Sequence, residues 1–335
     1  MKKYGKISGW GAYTPANVVT NHDLAERYDT SHEWIVRRTG IVERRFAGPD
    51  ETTHQMAVKA GQQALEKAQL DAAELDLIIV ATTSPDFMTP PLSSQVQATL
   101  GAHGIPAFQL MTGCSGFLYA LTTAYQFVES GAYGTVLVIA AEYLSRYLDA
   151  GDRSTVVLFG DGAGAVVVRA CDEPCGLKAF DLGSDGANGH HLVISMGESN
   201  ELDTVWPHEG GKYQVYMNGR EVFRFASRVI GESCARTLAQ AGMTLDDVDW
   251  ILPHQANLRI IQAAARGMNV PIEKFLVNIE RYANTSAASV PLLLVENLEN
   301  GKINPSDTLL MVAFGAGLTW GSAIVQLQPA PPSSP

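Results

Sequence analysis

The chain has 335 residues, 46% hydrophobic and 18% charged, enough to bury one large core or two of ordinary size, and its composition is not that of a disordered polymer. Its formal net charge of −11 argues against general nucleic-acid binding but leaves room for a local basic patch. No apolar run reaches membrane-spanning length and no secretory pattern precedes the first strand, so a cytoplasmic protein is expected.

In chain order, Ile7-Ser-Gly-Trp-Gly-Ala-Tyr-Thr-Pro predicts a strand running into a turn. Asn21 or Asp23 is expected to cap a helix through Asp23–Tyr28, and Thr30-Ser-His-Glu-Trp opens a second. Arg37-Arg-Thr-Gly-Ile-Val-Glu-Arg-Arg holds four arginines in nine residues, a pattern that fits a solvated face or an anion site. Thr52–Ala68 is amphipathic, with Met56, Ala60, Ala64 and Leu65 on one side. Leu75–Thr82 is nearly all apolar, as in a strand buried on both faces. A Pro-rich loop, Ser84–Pro91, leads into a helix over about Ser93–Leu100.

Ile105–Leu110 reads as a buried strand, and Leu118, Ala120, Leu121, Ala124, Tyr125 and Val128 recur at helical spacing as far as Ser130-Gly131. Cys114 therefore falls where a strand turns into a helix. Unpaired N–H groups and the positive end of the helix dipole meet there, and both favour thiolate over thiol. Gly113 and Gly116 allow another backbone or a substrate to come close. The alternative is a buried cysteine behaving as a small hydrophobe.

Thr135–Ala141 is the next strand, followed by a loop containing Asp149-Ala-Gly-Asp-Arg-Ser. Phe159-Gly-Asp-Gly-Ala-Gly-Ala-Val-Val-Val-Arg then leads through a glycine turn into a strand. These glycines precede a strand, whereas a dinucleotide fingerprint follows one and opens a helix, so close packing is the expected role. The second half repeats the plan. It has a strand and turn at Gly176–Gly186, a loop over Ala187–Tyr213, and a helix over Gly219–Gln240 closed by Gly242. Val248–Pro253 is a strand, His254-Gln-Ala-Asn opens a helix to about Arg266, and Phe275–Ile279 is another strand. Pro291–Leu298 is helical, Thr308–Gly317 and Leu318–Leu327 form a hairpin, and 328–335 is a disordered tail. Alternating strands and helices imply layered α/β architecture. Two duplicated halves are expected, 1–175 with the cysteine and 176–327 with His254 and Asn284. The four cysteines (114, 171, 175, 234) make no disulfide framework, and Cys171-x3-Cys175 brackets a turn with no second zinc-spaced pair, so no metal is expected.

His254 and Asn284, like Cys114, follow buried strands. Each alone fits an ordinary strand-end or turn residue, but three at the strand ends of one α/β protein point to a shared crevice. They would supply a thiol nucleophile, a base or donor, and an orienting amide. Gly113-Cys-Ser-Gly-Phe, Phe159-Gly-Asp-Gly-Ala-Gly-Ala, Pro253-His-Gln-Ala-Asn-Leu-Arg-Ile, Asn284-Thr-Ser-Ala-Ala-Ser-Val-Pro and Phe314-Gly-Ala-Gly-Leu-Thr-Trp-Gly-Ser stand in order along the chain. Together they resemble the β-ketoacyl-ACP synthase III family, from Thr30 to Ser322.

The resemblance implies a five-layered αβαβα thiolase-like fold, a homodimer, acyl-CoA and malonyl-acyl carrier protein as substrates, and no cofactor. It implies that Cys114 is acylated, that His254 and Asn284 hold the malonyl thioester carbonyl during decarboxylation, and that the N–H groups of Cys114 and Ala316 form an oxyanion hole. It assigns Trp34, Arg38, Arg153 and Asn257 to coenzyme A, and Arg224, Arg259 and Arg266 to docking of the acidic carrier protein. Thr89 aligns with the loop that caps the partner subunit's acyl pocket, where the family usually has a bulky aromatic, with Phe87 and Met88 beside it. Met111-Thr112 likewise replaces small residues before the cysteine. Thr89 at the pocket implies a longer acyl tunnel that takes medium chains or unusual starters. The alternative is a specialised condensing enzyme of a quinolone or polyketide pathway with the same triad. A papain-like hydrolase lacks support in the flanks of Cys114, and a degradative thiolase would need a second, C-terminal cysteine.

Overall fold

The computed structural model describes residues 3–149, 151–194 and 214–327, so the expected tail 328–335 and the loop segment 195–213 lie outside the described residues. The first half runs β1 (Tyr4–Tyr13), β2 (Val18–Thr20), α1 (Asn21–Ala25), α2 (His32–Thr39), β3 (Glu43–Arg45), α3 (Thr53–Ala68), β4 (Leu77–Ala81) and α4 (Leu92–Leu100). It continues through β5 (Ala107–Leu110), α5 (Gly116–Glu129), β6 (Thr135–Glu142), α6 (Arg153–Val156) and β7 (Gly162–Cys171). The second half runs β8 (Gly176–Ser184), β9 (Leu192–Ile194), β10 (Val215–Met217), α7 (Gly219–Ala241), β11 (Trp250–Pro253) and α8 (Leu258–Gly267). It closes with α9 (Ile279–Tyr282), α10 (Ser289–Glu299), β12 (Thr308–Gly315) and β13 (Thr319–Gln326).

Two mixed sheets result, ordered β1-β7-β6-β4-β5 and β11-β12-β13-β8. The first centres on Leu77–Ala81 and Thr135–Glu142, buried at every position, and the second on Thr308–Gly315, buried from Leu309 on, as strands covered on both faces require. Helices α5 and α10 lie between the sheets. Phe117, Leu118, Leu121 and Tyr125 of α5 and Leu293 and Leu294 of α10 share one core with Val138 of the first sheet and Met311 of the second. Each such side chain contributes about 1.5–3 kcal/mol on burial. Outside, α3 and α4 cover the first sheet, and α7 and α8 cover the second. The layers are thus αβαβα, the thiolase-like arrangement expected.

Glycines set the tightest contacts. A Cβ on Gly9 or Gly11 would come within 2.2 Å of the Ala64 carbonyl or 2.3 Å of the Ala60 carbonyl of α3. In the glycine run that leads into β7, a Cβ at Gly160 would meet the Tyr282 carbonyl at 2.5 Å, and one at Gly164, inside the strand, would meet Pro291 at 2.7 Å. These residues are packing surfaces, as expected.

Four local expectations change. Thr20, not Asn21 or Asp23, caps α1: its side chain accepts the Asp23 N–H while the Asp23 carboxylate accepts the Thr20 N–H. The arginine run is split, with Arg37 and Arg38 exposed, Arg45 paired to Glu43, and Arg44 fully buried against the Val19 and Val157 carbonyls and Asn21. Leu192-Val-Ile, placed in a loop from sequence, forms β9 and pairs with Val215–Met217. Phe275–Ile279 takes the fifth place in the second sheet, matching β5 in the first, but makes a single bridge, Ile251 to Phe275. The Gln255 side chain replaces the ladder there, donating to the Pro253 and Leu276 carbonyls and accepting from the Asn278 N–H.

Candidate active site

Cys114 sits on a short 3-10 turn, Gly113–Ser115, that opens α5. The turn is pressed against the end of β12. Gly113, at φ +59°, has no room for a Cβ beside Ala316, and a Cβ on Gly315 would lie 2.4 Å from the Cys114 nitrogen. Thr319 locks the two segments together: its hydroxyl donates to the Thr112 and Ala316 carbonyls and accepts from Ser115. The result is that the backbone N–H groups of Cys114 and Ala316 both favour negative charge on the Cys114 sulfur. These are the two donors expected for an oxyanion hole.

Burial nevertheless pushes the Cys114 thiol up to about 12, against the lowering by Ser286 and the two N–H groups, and the buried Glu142 carboxyl pushes in the same upward direction. The N–H groups expected at the helix end to favour thiolate do act in that direction, and desolvation outweighs them. At neutral pH the resting group is a thiol.

His254 follows β11, its N–H fixed to the Val312 carbonyl and its ring edge-on to Phe314 at 5.2 Å. Burial lowers its pKa to about 3, so the imidazole is neutral. Nδ1 lies 2.6 Å from Ser289 Oγ, which also accepts the Gln255 N–H. Asn284 is pinned by its backbone between Leu158 and Gly160. Its Oδ1 accepts the Ser286 N–H at 2.8 Å, which leaves the amide NH2 as the group free to donate. The loop is held in unusual backbone, with Ala283 at φ +55° and Ser286 at φ +49°. Cys114, His254 and Asn284 all line one cavity, together with Phe314 and Asn257. Behind the sulfur lies a second, mainly apolar compartment bounded by Leu144, Leu192, Ile194 and Val215.

Farther out, Trp34 is half buried on α2, with the Arg153 guanidinium 5.0 Å and that of Arg38 5.8 Å from its ring. Asn257 caps α8 and donates to the Arg38 carbonyl, so all four residues expected to hold coenzyme A cluster at one mouth. Arg259 lies 5.8 Å from the ring of Phe223, which lines that mouth, and Arg224 pairs with Glu221 at 2.7 Å. Arg266 is exposed at the other end of α8, roughly 10 Å along its axis. Phe87, Met88 and Thr89 are exposed and are not among the described residues that line these two cavities. Sequence reading missed Ser286, Ser289 and Glu142. The serines stood inside a motif already singled out, and Glu142 was visible as a lone acid ending an apolar strand.

A thiol, a neutral imidazole, an amide and two converging backbone donors in a layered αβαβα protein define a thiolase-fold condensing acyltransferase. Comparison with known proteins gives the family. Residues 108–186 match the family model described as 3-oxoacyl-[acyl-carrier-protein (ACP)] synthase III, and residues 238–327 match that of its C-terminal region. A β-ketoacyl-[acyl-carrier-protein] synthase III of Roseiflexus sp. (strain RS-1) is 46% identical over 326 residues, 97% of this chain and 99% of that protein. The crystal structure of 3-oxoacyl-[acyl-carrier-protein] synthase III from Aquifex aeolicus VF5 superposes with a TM-score of 0.90 at 45% identity, covering 96% of this chain and 99% of that one. The priming β-ketosynthase of the R1128 polyketide pathway also gives 0.90, at 38% identity over 99% and 98%. The chain belongs to the β-ketoacyl-[acyl-carrier-protein] synthase III family, the condensing enzymes that initiate fatty-acid synthesis.

Proposed function

We propose that Cys114 attacks an acyl-CoA thioester and carries the acyl group into the apolar compartment behind it. His254 and Asn284 then hold the thioester carbonyl of malonyl-acyl carrier protein, so that loss of CO2 leaves an enolate-like carbanion that attacks the acyl-cysteine and releases β-ketoacyl-acyl carrier protein. Residues 1–175 thus supply the nucleophile and 176–327 the carbonyl-binding pair. The observation that carries this reading is the meeting of the three side chains in one cavity, with two backbone N–H groups favouring negative charge on the sulfur. Ser289, by donating to His254 Nδ1, would keep the proton on Nε2, where a donor to the enolate is needed. No metal is required in this scheme. Among the described residues no cluster of three or more His, Cys, Asp or Glu could hold one.

Trp34 is the platform for the coenzyme A adenine, with Arg153 on its far face and Arg38 and Asn257 along the channel. A base sandwiched at van der Waals distance needs about 7 Å between ring and guanidinium, so Arg153 must swing out from its 5.0 Å position. Arg224, Arg259 and Arg266 form the docking face for acidic carrier protein on an otherwise acidic surface. Dimerisation through β5, a half-buried edge strand beside exposed Phe87, Met88 and Met111, would bring the Thr89 loop to the partner's acyl pocket. A cytoplasmic location fits the setting of fatty-acid synthesis; among the described residues no helix is long and apolar enough to cross a membrane.

The test is intact-protein mass spectrometry with acyl-CoAs from acetyl to decanoyl, followed by malonyl-acyl carrier protein. A mass gain on Cys114 that the carrier protein discharges is expected. The chain length giving the fastest gain reports the pocket depth. Acylation that malonyl-acyl carrier protein cannot discharge would favour the specialised enzyme of a polyketide or quinolone pathway, a reading supported by the likeness to the R1128 priming ketosynthase.

A further inference from the structure

A buried carboxyl beside the nucleophile has no part in the mechanism above. Glu142 ends β6 with no solvent exposure. Its Oε1 lies 3.0 Å from Ser286 Oγ, and its two oxygens also take the Thr83 N–H, the Thr83 hydroxyl and the Ser84 hydroxyl. Ser286 in turn lines the same compartment as Cys114, and its hydroxyl acts to lower the thiol's pKa. The serine is held there in left-handed backbone at φ +49°, and its N–H fixes Asn284. One residue therefore acts on the nucleophile through its hydroxyl and on the carbonyl-binding amide through its backbone. A purely structural serine would not require that backbone strain.

We propose that Ser286 is a further catalytic residue and Glu142 its positioning partner, together a relay that removes the Cys114 proton during acylation and returns it after condensation. As the Cys114 sulfur bonds to the acyl carbon, its proton passes to Ser286 Oγ, and the proton of Ser286 passes to Glu142 Oε1. The bond between the acyl carbon and the coenzyme A sulfur breaks, and the departing thiolate takes a proton from water. After decarboxylation, attack of the carbanion on the acyl-cysteine expels the Cys114 thiolate. That thiolate recovers its proton from Ser286 as Glu142 gives one back. Over the cycle the protein gains and loses nothing.

The relay answers a need that the other groups leave open. Cys114 rests as a thiol, and His254 is too weak a base at neutral pH to hold its proton. Burial raises the Glu142 pKa above the ordinary carboxylate range, which makes it the better acceptor. Among the described residues, the charge of Glu142 raises the pKa of Cys114, from the turn before α5, and of Tyr147, beyond β6. Arg146 is committed to Asp86, Thr53 and the Ser84 carbonyl.

The inference rests on Cys114 being the acylated group, and the experiment separates the two. Single-turnover acylation by acyl-CoA is followed by mass spectrometry, in parallel with decarboxylation of malonyl-acyl carrier protein, for wild type, Glu142→Gln and Ser286→Ala. Both variants are expected to acylate roughly 100-fold more slowly or worse, with KM for acyl-CoA unchanged. Decarboxylation should stay within a few-fold of wild type, because the Ser286 N–H to Asn284 remains; this also reports that the variants fold. The acid limb of the acylation pH profile, set by Glu142, should vanish in Glu142→Gln and give way to a rate that climbs with hydroxide. Wild-type rates and profiles in both variants, or equal loss of both half-reactions, would overturn the relay. Wild-type acylation away from Cys114 would instead overturn the reading beneath it.

Discussion

Cys114 is a thiol raised by burial, yet Ser286 and two backbone N–H groups act against that rise, so the site tolerates negative charge better than its burial alone would allow. Replacing Cys114 with Ala should abolish the acyl-enzyme mass entirely; a mass gain that survives would place the nucleophile elsewhere. Asn284→Ala should behave in the opposite way, acylating at near wild-type rate while malonyl decarboxylation falls by two orders of magnitude or so. Equal damage to both steps would contradict that division. His254, held neutral down to a pKa of about 3, should give a decarboxylation rate that is flat from about pH 5 to 8, whereas an inflection near the free-imidazole value would show that it titrates in the working range. The linkage has a definite sign. A depressed histidine favours the fold above its unfolded pKa of about 6.5, and that contribution is lost as pH falls toward 3. At this scale the triad was legible because Cys, His and Asn each end a strand-like run. Glu142 and Ser286 were not, since only the folded chain brings the end of β6 to the loop after α9.

The elements that carry these residues depend on bare backbone. Gly315→Ala would drive a methyl into the Cys114 nitrogen at 2.4 Å, and the atoms it meets are the Cys114 backbone and Cβ rather than the end of a flexible side chain. We expect such a variant to lose stability by about 1–3 kcal/mol, read as a shift of the denaturant midpoint, and to lose acylation disproportionately. Unchanged acylation would mean the turn tolerates displacement. Most helices and strands were readable from periodicity and apolar runs, α3, α5, β4 and β6 above all. Two of the misplaced ones share a cause: side chains substituted for the local signal. Thr20 took over the cap from Asn21 and Asp23, and Gln255 occupied hydrogen bonds that would have made Phe275–Ile279 a strand. β9 and β10 are only three residues each and pair across a long insertion, so no local window announces them.

For the molecule as a whole, the exposed Phe87, Met88 and edge strand β5 make association the expected way to cover apolar surface. Phe87→Ser with Met88→Ser should shift the sedimentation equilibrium toward monomer and slow acylation with long donors most. A monomeric wild type would remove the basis for assigning this loop to a partner's pocket. The arrangement of the layers has a last consequence. α5 and α10, which start at the turns carrying Cys114 and Ser286, are the only long helices among the described residues enclosed by sheets on both faces. In amide hydrogen exchange their backbone should open only with the entire fold, while α7 and α8, which carry the substrate mouth, can breathe through smaller excursions. The bond-making centre would then keep its geometry through heating or mild denaturant after the entrance has begun to fail, and affinity would be lost before turnover.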